Sequence, residues 1–437
     1  MRYFAMVKKL LCCKQSKADH ILNITFSIIM GISTSMQKDS IVLSCYGSGK
    51  FDVGCAEIMI SDSDSASGDD IGILLTIYYP CDSATKSDEQ SEHPLWLPRE
   101  EYLDGLADYR NSSSRWMHFI HRWFVGEKRI PARRHLALNK SIANYPVLIF
   151  SHGLSACRHF YSVYCSSLAS HGYIVAAIEH RDCSACWTYK YETNEKTGEK
   201  IEVPVKIRKL MPTDDEFQLR NGQLHKRVAE CIKTLHVLEE LNLGQFSSDQ
   251  QIGKKLLLGN DFEWSQFKDH LDMDRVFIAG HSFGGATAIA AAAISPTGFK
   301  AAVILDGWMF SIERELLTRV YQPILFMNAE NFQWEANVKD MLQVTENSKR
   351  GILLTFNEAL HHCFTDFPLL IPEILCRWFG IQSLHDPVQI IEAVIELTVH
   401  FLKSYDEDPH VALNLLKFEN IITLGAKFAS QAPALST

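Results

Sequence analysis

The sequence predicts an α/β fold in which a mostly parallel β-sheet is covered by helices on both faces. Two observations support this fold class. From residue 146 onward, short apolar runs alternate with segments of helical composition, which are the crossovers that parallel strands require. In addition, the apolar run at residues 276–279 leads through a glycine-rich turn into an alanine-rich segment, which is typical of a strand, a tight turn and a helix.

Length and composition limit the possible domain organisation and the possible binding partners of the chain. The chain has 437 residues, of which 46% are hydrophobic, so it can bury a large core. We expect a poorly ordered extension over residues 1–45, a single α/β domain over residues 46–410, and a tail over residues 411–437 whose end is loosely attached. The net charge of −9, without a dominant basic run, argues against nucleic acid as a partner.

The cysteines and the N-terminal residues give information on the cellular compartment of the protein. The 12 cysteines lack the paired spacing of a zinc site, and an irregular set of thiols favours a reducing environment. An apolar run at residues 21–32 follows several lysines and faintly resembles a signal peptide, but it contains polar residues and is too short to span a bilayer. We therefore expect a cytoplasmic protein that can associate with membranes, with secretion as the alternative.

The first predicted elements are two strands and an aromatic helix. Residues 51–60 and 71–79 predict strands, and a polar loop separates them. A helix over residues 115–124 would place large apolar side chains on one face, with basic side chains mostly elsewhere on the helix. That face is made of Trp116, Phe119, Ile120, Trp123 and Phe124. Such a helix either packs on the core or lies at a lipid–water interface, and the pattern is compatible with both.

Strands and helices alternate in the remainder of the chain. Asp386 and Pro387 form a good N-cap and first residue for a closing helix. A charged excursion over residues 188–212 and a polar loop over residues 245–259 interrupt the pattern. The predicted elements, in chain order, are a strand at 146–150, a helix at 159–171, a strand at 172–178, a helix at 214–243, the strand before the glycine-rich turn, and strands at 301–305, 323–327 and 351–356.

The glycine-rich turn carries the strongest chemical signal. Ser282 lies within Gly280-His-Ser-Phe-Gly284, which is the G-x-S-x-G nucleophile elbow between a strand and a helix. The two glycines are needed because the strand and the helix cross too closely for side chains at those positions. The helix that begins near Phe283 directs its N-terminal N–H groups towards the serine. The sequence therefore predicts a serine nucleophile and, with it, the α/β-hydrolase fold.

A serine nucleophile needs a histidine base and a carboxylate that orients the base, each placed after a later strand. The strand at 351–356 is followed by His361 and His362, either of which could be the base. Two acids compete, because Asp306 follows the strand at 301–305 and Glu330 follows the strand at 323–327. Topology alone leaves that choice open. The oxyanion hole is expected to use the backbone N–H of Phe283 and a second N–H from residues 152–154.

Several motifs together resemble the platelet-activating factor acetylhydrolases of the plasma and intracellular type II family. The resemblance covers residues 48–405 approximately. The motifs are GHSFGGAT at 280–287, LDGWMF at 305–310, HHCFTDF at 361–367, FSHGL at 150–154 and YIVAAIEHRD at 173–182.

The resemblance implies a role for each candidate. By analogy with the family, Ser282 is the nucleophile, Asp306 the acid and His361 the base, and the backbone N–H groups of Leu154 and Phe283 form the oxyanion hole. Glu330 and His362 then have no role in the triad, and the helix from Trp116 to Phe124 corresponds to the segment that touches lipid surfaces. The implied reaction is hydrolysis of a short or oxidised sn-2 acyl chain from a phospholipid at a membrane or lipoprotein surface, without a metal or another cofactor.

Overall fold

The structure is a computed structural model of the chain. It describes residues 42–62, 72–82, 92–193, 199–246, 254–373, 376, 381, 383–407 and 415–428. The apolar run at 21–32, nearly all of the predicted N-terminal extension, most of the loop at 61–70 and the ends of the predicted tail lie outside these residues. The ten cysteines within the described part are free thiols.

Eleven of the described strands form one mixed sheet, and two more form a separate antiparallel pair. The strands are β1 (Asp52–Asp62), β2 (Ile73–Cys81), β3 (Arg133–Arg134), β4 (Tyr145–Ser151), β5 (Ile174–Ile178), β6 (Trp187–Thr193), β7 (Lys200–Lys206), β8 (Lys254–Leu258), β9 (Leu271–His281), β10 (Ala301–Leu305), β11 (Ile324–Ala329), β12 (Gly351–Phe356) and β13 (Ile422–Leu424).

The predicted parallel sheet is confirmed. Its strands run in the order β13-β12-β11-β10-β9-β4-β5-β2-β1-β3, with β8 also paired to β1. The six strands from β5 to β12 in this order are mutually parallel, whereas β2, β8 and β13 pair antiparallel to their neighbours. The parallel strands are almost completely buried, as expected for a sheet covered on both faces.

The described helices connect the strands and pack on the sheet. They are α1 (Glu101–Tyr109), α2 (Ser114–Ile120), α3 (Ser162–Ser170), α4 (Glu216–Asn242), α5 (Phe283–Ile294), α6 (Arg314–Leu317), α7 (Glu335–Asn347), α8 (Phe367–Leu370) and α9 (Pro387–Lys403). The closing helix begins as the sequence predicts, because the side chain of Asp386 accepts a hydrogen bond from the N–H of Val388. Within the described residues, no helix combines the length and apolar character that a membrane crossing requires.

Three segments differ from the sequence prediction. The charged excursion forms the β6–β7 hairpin, and the polar loop at 245–259 contains β8, which pairs with the edge of β1. The prediction of a loosely attached end is wrong for residues 418–428, because β13 pairs with β12 and Phe418, Ile421 and Ile422 are buried. All of these strands lie at sheet edges or outside the main sheet, where polar side chains are tolerated and the apolar pattern is weak.

The nucleophile elbow has the strained geometry that its glycines predict. Ser282 has a φ of 57°, a region that residues with side chains rarely adopt. A Cβ atom on Gly280 would collide with the carbonyl of Gly284, and one on Gly284 would collide with the carbonyl of Ser151. The elbow is therefore packed backbone against backbone between β9, α5 and β4.

Substitution of Gly284 by alanine should strongly destabilise the fold. Because the new methyl group meets main-chain atoms that cannot rotate away, we expect the free energy of unfolding to fall by about 3 kcal/mol or more. The matched control is Gly222→Ala in α4, where a Cβ meets no atom within 4 Å. Since Gly222 lies inside a helix, its replacement by alanine should raise the free energy of unfolding by about 0.5–1 kcal/mol. Urea unfolding measures both, and equal effects of the two changes would contradict the packing described here.

Candidate active site

The carboxyl ends of the parallel strands bring the candidate residues to one edge of the sheet. In the register of β9 and β10, His281 lies opposite Leu305, so Ser282 and Asp306 follow at the same level. The N–H of Ser282 donates to the carbonyl of Leu305 at 2.9 Å, and the N–H of Trp308 donates to the carbonyl of Ser282 at 3.0 Å. The loops that carry Ser282 and Asp306 are thus tied together through the main chain.

Asp306 and His361 form a buried hydrogen-bonded pair. Nδ1 of His361 lies 2.8 Å from Oδ2 of Asp306, and the N–H of Ala329 donates to Oδ1 at 2.8 Å. The side chain of Asp306 is completely buried, and that of His361 is 16% exposed. With one donor on each oxygen, the carboxylate holds the imidazole in the tautomer whose Nε2 can accept a proton.

Burial controls the protonation of this pair. It lowers the pKa of His361 to about 3, so the imidazole is neutral near pH 7 and can act as a base. Burial also raises the pKa of Asp306, while the hydrogen bond from Ala329 acts in the opposite direction.

The structure separates the competing candidates. The carboxylate of Glu330 accepts a hydrogen bond from the N–H of Glu358 at 2.8 Å and lies 3.8 Å from Nζ of Lys427, so it is engaged away from His361. This follows from β11, which extends to Ala329 and places Glu330 in a 3₁₀ turn. His362 is adjacent in sequence, but the imidazole bonded to Asp306 is that of His361.

Two contacts of the Asp306–His361 pair are not predicted by any pattern in the sequence. The ring of Phe332 stacks on the imidazole of His361, with centroids 3.8 Å apart and an angle of 14° between the planes. The N–H of Ala329, which completes the hydrogen bonding of Asp306, belongs to the end of the neighbouring strand β11. A strand end and an aromatic side chain acquire these roles only through the sheet register.

The predicted oxyanion donors lie on either side of the serine. Phe283 begins α5 directly after Ser282, and Leu154 follows Gly153 in the loop after β4. A Cβ on Gly153 would lie 3.3 Å from the Cβ of Ser282, so this loop and the elbow are in contact. Among the hydrogen bonds of the described residues, none uses the N–H of Leu154 or of Phe283. Neither N–H thus has a hydrogen-bond acceptor within the described residues, as the predicted role requires.

Three side chains at this edge are of residue types that can bind a metal ion. One nitrogen or carboxylate oxygen from each of His281, Asp306 and His361 lies within 4.8 Å of the others. Asp306 and His361 bond to each other, and both ring nitrogens of His281 are engaged in hydrogen bonds. We therefore interpret the group as the hydrogen-bonded surroundings of the serine.

The aromatic segment is helical over all of the predicted residues, and its apolar side chains divide between a buried cluster and the surface. Helix α2 ends at Ile120 and continues as a π-helical turn over His121–Val125. Ile120 and Phe124 are each only 7% exposed, so they pack inward, whereas Trp123 is 37% exposed. Trp116 and Phe119 are half-buried and stack at 5.4 Å. Of the five predicted interface residues, Ile120 and Phe124 thus belong to a small apolar cluster, and the surface is formed by the other three.

Comparisons with known proteins agree with the geometry. The family model for "Platelet-activating factor acetylhydrolase, isoform II" matches residues 36–415. Proteins named platelet-activating factor acetylhydrolase are similar to this chain: that of Gallus gallus is 33% identical, over 82% of this chain and 82% of its own length, and that of Canis lupus familiaris is 32% identical, over 82% and 76%.

A comparison with solved structures supports the fold. A ferulic acid esterase from Streptomyces cinnamoneus superposes with a TM-score of 0.56, covering 88% of this chain and 98% of the esterase, at 16% sequence identity. At that identity the likeness establishes the α/β-hydrolase fold and leaves the substrate open.

Proposed function

This chain belongs to the platelet-activating factor acetylhydrolase family, and we propose that it hydrolyses short or oxidised sn-2 acyl esters of phospholipids through Ser282, Asp306 and His361. The observation that carries the proposal is the Asp306–His361 hydrogen bond at the level of the Ser282 elbow. Platelet-activating factor is the model substrate, and its products would be acetate and the lysophospholipid.

The proposed mechanism follows from the positions of these groups. His361, neutral and oriented by Asp306, takes the proton of the Ser282 hydroxyl as the oxygen attacks the ester carbonyl. The resulting oxyanion accepts hydrogen bonds from the N–H groups of Leu154 and Phe283, in a site where donors are already fixed in place. His361 then protonates the departing lysophospholipid oxygen, and a water molecule activated by the same imidazole cleaves the acyl-enzyme.

The substrate class can be tested with matched phospholipids. Hydrolysis of sn-2 acetyl and sn-2 palmitoyl phosphatidylcholine should be compared in the presence of a metal chelator. We expect kcat/KM for the acetyl ester to be higher by about 100-fold or more, because a pocket that fits a short chain excludes a long one by steric overlap. Hydrolysis of small soluble esters without hydrolysis of either phospholipid would instead identify a general carboxylesterase.

We also propose that the surface around α2 touches the lipid surface that holds the substrate. The exposed ring of Trp123 and the half-buried rings of Trp116 and Phe119 are flanked by the exposed basic residues Arg115 and Arg122, a combination suited to an interface with anionic lipid.

Replacement of Trp123 by alanine should weaken vesicle binding by about three- to tenfold, because the indole loses its burial in the interface. Vesicle sedimentation measures this effect, and hydrolysis of a soluble ester should not change. Tyr321→Ala is the control, since Tyr321 is 55% exposed and precedes β11, at the amino ends of the parallel strands and away from Ser282. An equal loss of vesicle binding in both variants would contradict the proposal.

A further inference from the structure

A buried chain of hydrogen bonds connects the loop at residues 152–154, here called the oxyanion loop, to the proposed base His361. The N–H of Gly153 lies 3.2 Å from the hydroxyl oxygen of Tyr161, and that oxygen lies 2.8 Å from Nδ1 of His281. Nε2 of His281 lies 3.1 Å from the main-chain carbonyl oxygen of His361. Tyr161 and His281 are 1% and 2% exposed, so water does not compete for these bonds.

The directions of these hydrogen bonds follow from the groups at their ends and from the charge of His281. An N–H can only donate, so the Tyr161 oxygen accepts from Gly153. A carbonyl can only accept, so Nε2 of His281 carries the proton and donates to His361. In a neutral His281 with its proton on Nε2, Nδ1 is the acceptor, so the Tyr161 hydroxyl donates its proton to Nδ1. Burial, which lowers the pKa of His281, favours the neutral form.

A buried cation binds the main-chain carbonyls of the same loop. The guanidinium of Arg227 donates to the carbonyls of His152 and Gly153, at 2.6 and 3.4 Å, and Nδ1 of His152 lies 2.8 Å from the carbonyl of Gly153. That carbonyl belongs to the peptide whose N–H is the predicted Leu154 donor. The same guanidinium lies 4.4 Å from the centre of the Phe283 ring, next to the second predicted donor.

We propose that Tyr161 and His281 are positioning residues that hold the oxyanion loop and the His361 backbone in a fixed relation to Ser282. Neither side chain touches the substrate. Tyr161 fixes the loop that precedes the Leu154 donor, and His281, adjacent to Ser282, carries that constraint to the residue whose ring takes the proton. A small displacement of the oxyanion loop or of the His361 backbone would misalign the Leu154 N–H, the Ser282 hydroxyl and the His361 ring in the transition state. The inference rests on the proposed function in assigning Leu154 and His361 to the same catalytic cycle.

The test compares two neighbouring tyrosines. Tyr161→Phe removes the hydroxyl from the chain, and Tyr164→Phe is the matched control. Tyr164 lies one helical turn further along, is also 1% exposed and packs on the same Phe150 ring, and within the described part of the chain its hydroxyl bonds only to Thr398. With p-nitrophenyl acetate as the substrate, we expect Tyr161→Phe to lower kcat by about tenfold or more with KM within about twofold. The rate of fluorophosphonate labelling should fall in parallel, and the control should match the wild type within about twofold.

Two variants of His281 provide an independent measurement. The amide of His281→Gln can accept from Tyr161 and donate to the His361 carbonyl, whereas His281→Leu can do neither. We expect the glutamine variant to keep a kcat at least about fivefold above that of the leucine variant, compared at equal folded fraction measured by thermal unfolding. A Tyr161→Phe enzyme with the kcat of its control, or equal kcat values for the two His281 variants, would overturn the inference. Because the readout is a soluble ester, the comparison stands even where phospholipids prove not to be substrates.

Discussion

Alanine in place of Ser282 should lower kcat by about 10⁴-fold or more, because the change removes the hydroxyl that we propose as the nucleophile and leaves the rest of the site in place. The same change should abolish covalent labelling by a fluorophosphonate, which the wild type should take up at one equivalent per chain. Both results depend on a hydroxyl that the elbow holds at a φ of 57° between β9 and α5.

The control for this substitution is Ser166→Ala. Ser166 in α3 is also completely buried, and its hydroxyl has no hydrogen-bond partner among the described residues. Its removal should leave both kcat and labelling within about twofold of the wild type, since no polar contact is lost. Labelling that persists in Ser282→Ala would show that another residue is the nucleophile.

Asparagine in place of Asp306 should lower kcat by about 10⁴-fold, the loss that the same change causes in a serine protease triad. An amide preserves the shape of the side chain, but its N–H₂ group no longer stabilises the tautomer of His361 that accepts the serine proton. KM should change little, because Asp306 is completely buried and does not contact the substrate. Steady-state kinetics on a short-chain ester measures both constants.

Glu330→Gln is the matched control, because Glu330 is the acid that strand topology alone would also allow. Its carboxylate bonds to the N–H of Glu358, and its side chain is 39% exposed. A neutral amide can keep that hydrogen bond, so kcat should stay within about twofold of the wild type. A large loss in the Glu330 variant with a small one in the Asp306 variant would reverse the assignment.

The elements that could be predicted from sequence are those with strong local patterns. The strands at 301–305 and 351–356 have the predicted boundaries, and the closing helix begins at its predicted cap. The sequence pattern does not predict β8 and β13, for a common reason. Each is short and is held by pairing with a strand that is distant in the chain, as β13 is by β12, so its own sequence carries little of the information.

The surroundings of the site are less predictable than its nucleophile. His281 lies inside the elbow motif, but a single histidine has no sequence pattern that would assign it a role. Tyr161 is 120 positions away from it and belongs to a 3₁₀ turn before α3. Neither residue indicates a hydrogen-bond chain until β4 and β9 are placed side by side.

The sequence by itself determined the candidate nucleophile, its strained turn and the alternation that makes a parallel sheet, because each of these depends on residues close together in the chain. Residue patterns left Asp306 and Glu330 equally open, and only the family resemblance favoured Asp306. The tertiary structure decided which carboxylate meets His361, since a hydrogen bond at 2.8 Å between residues 55 positions apart depends on strand register. It also decided which aromatic residues of α2 stay exposed, because burial depends on the neighbours that the fold supplies.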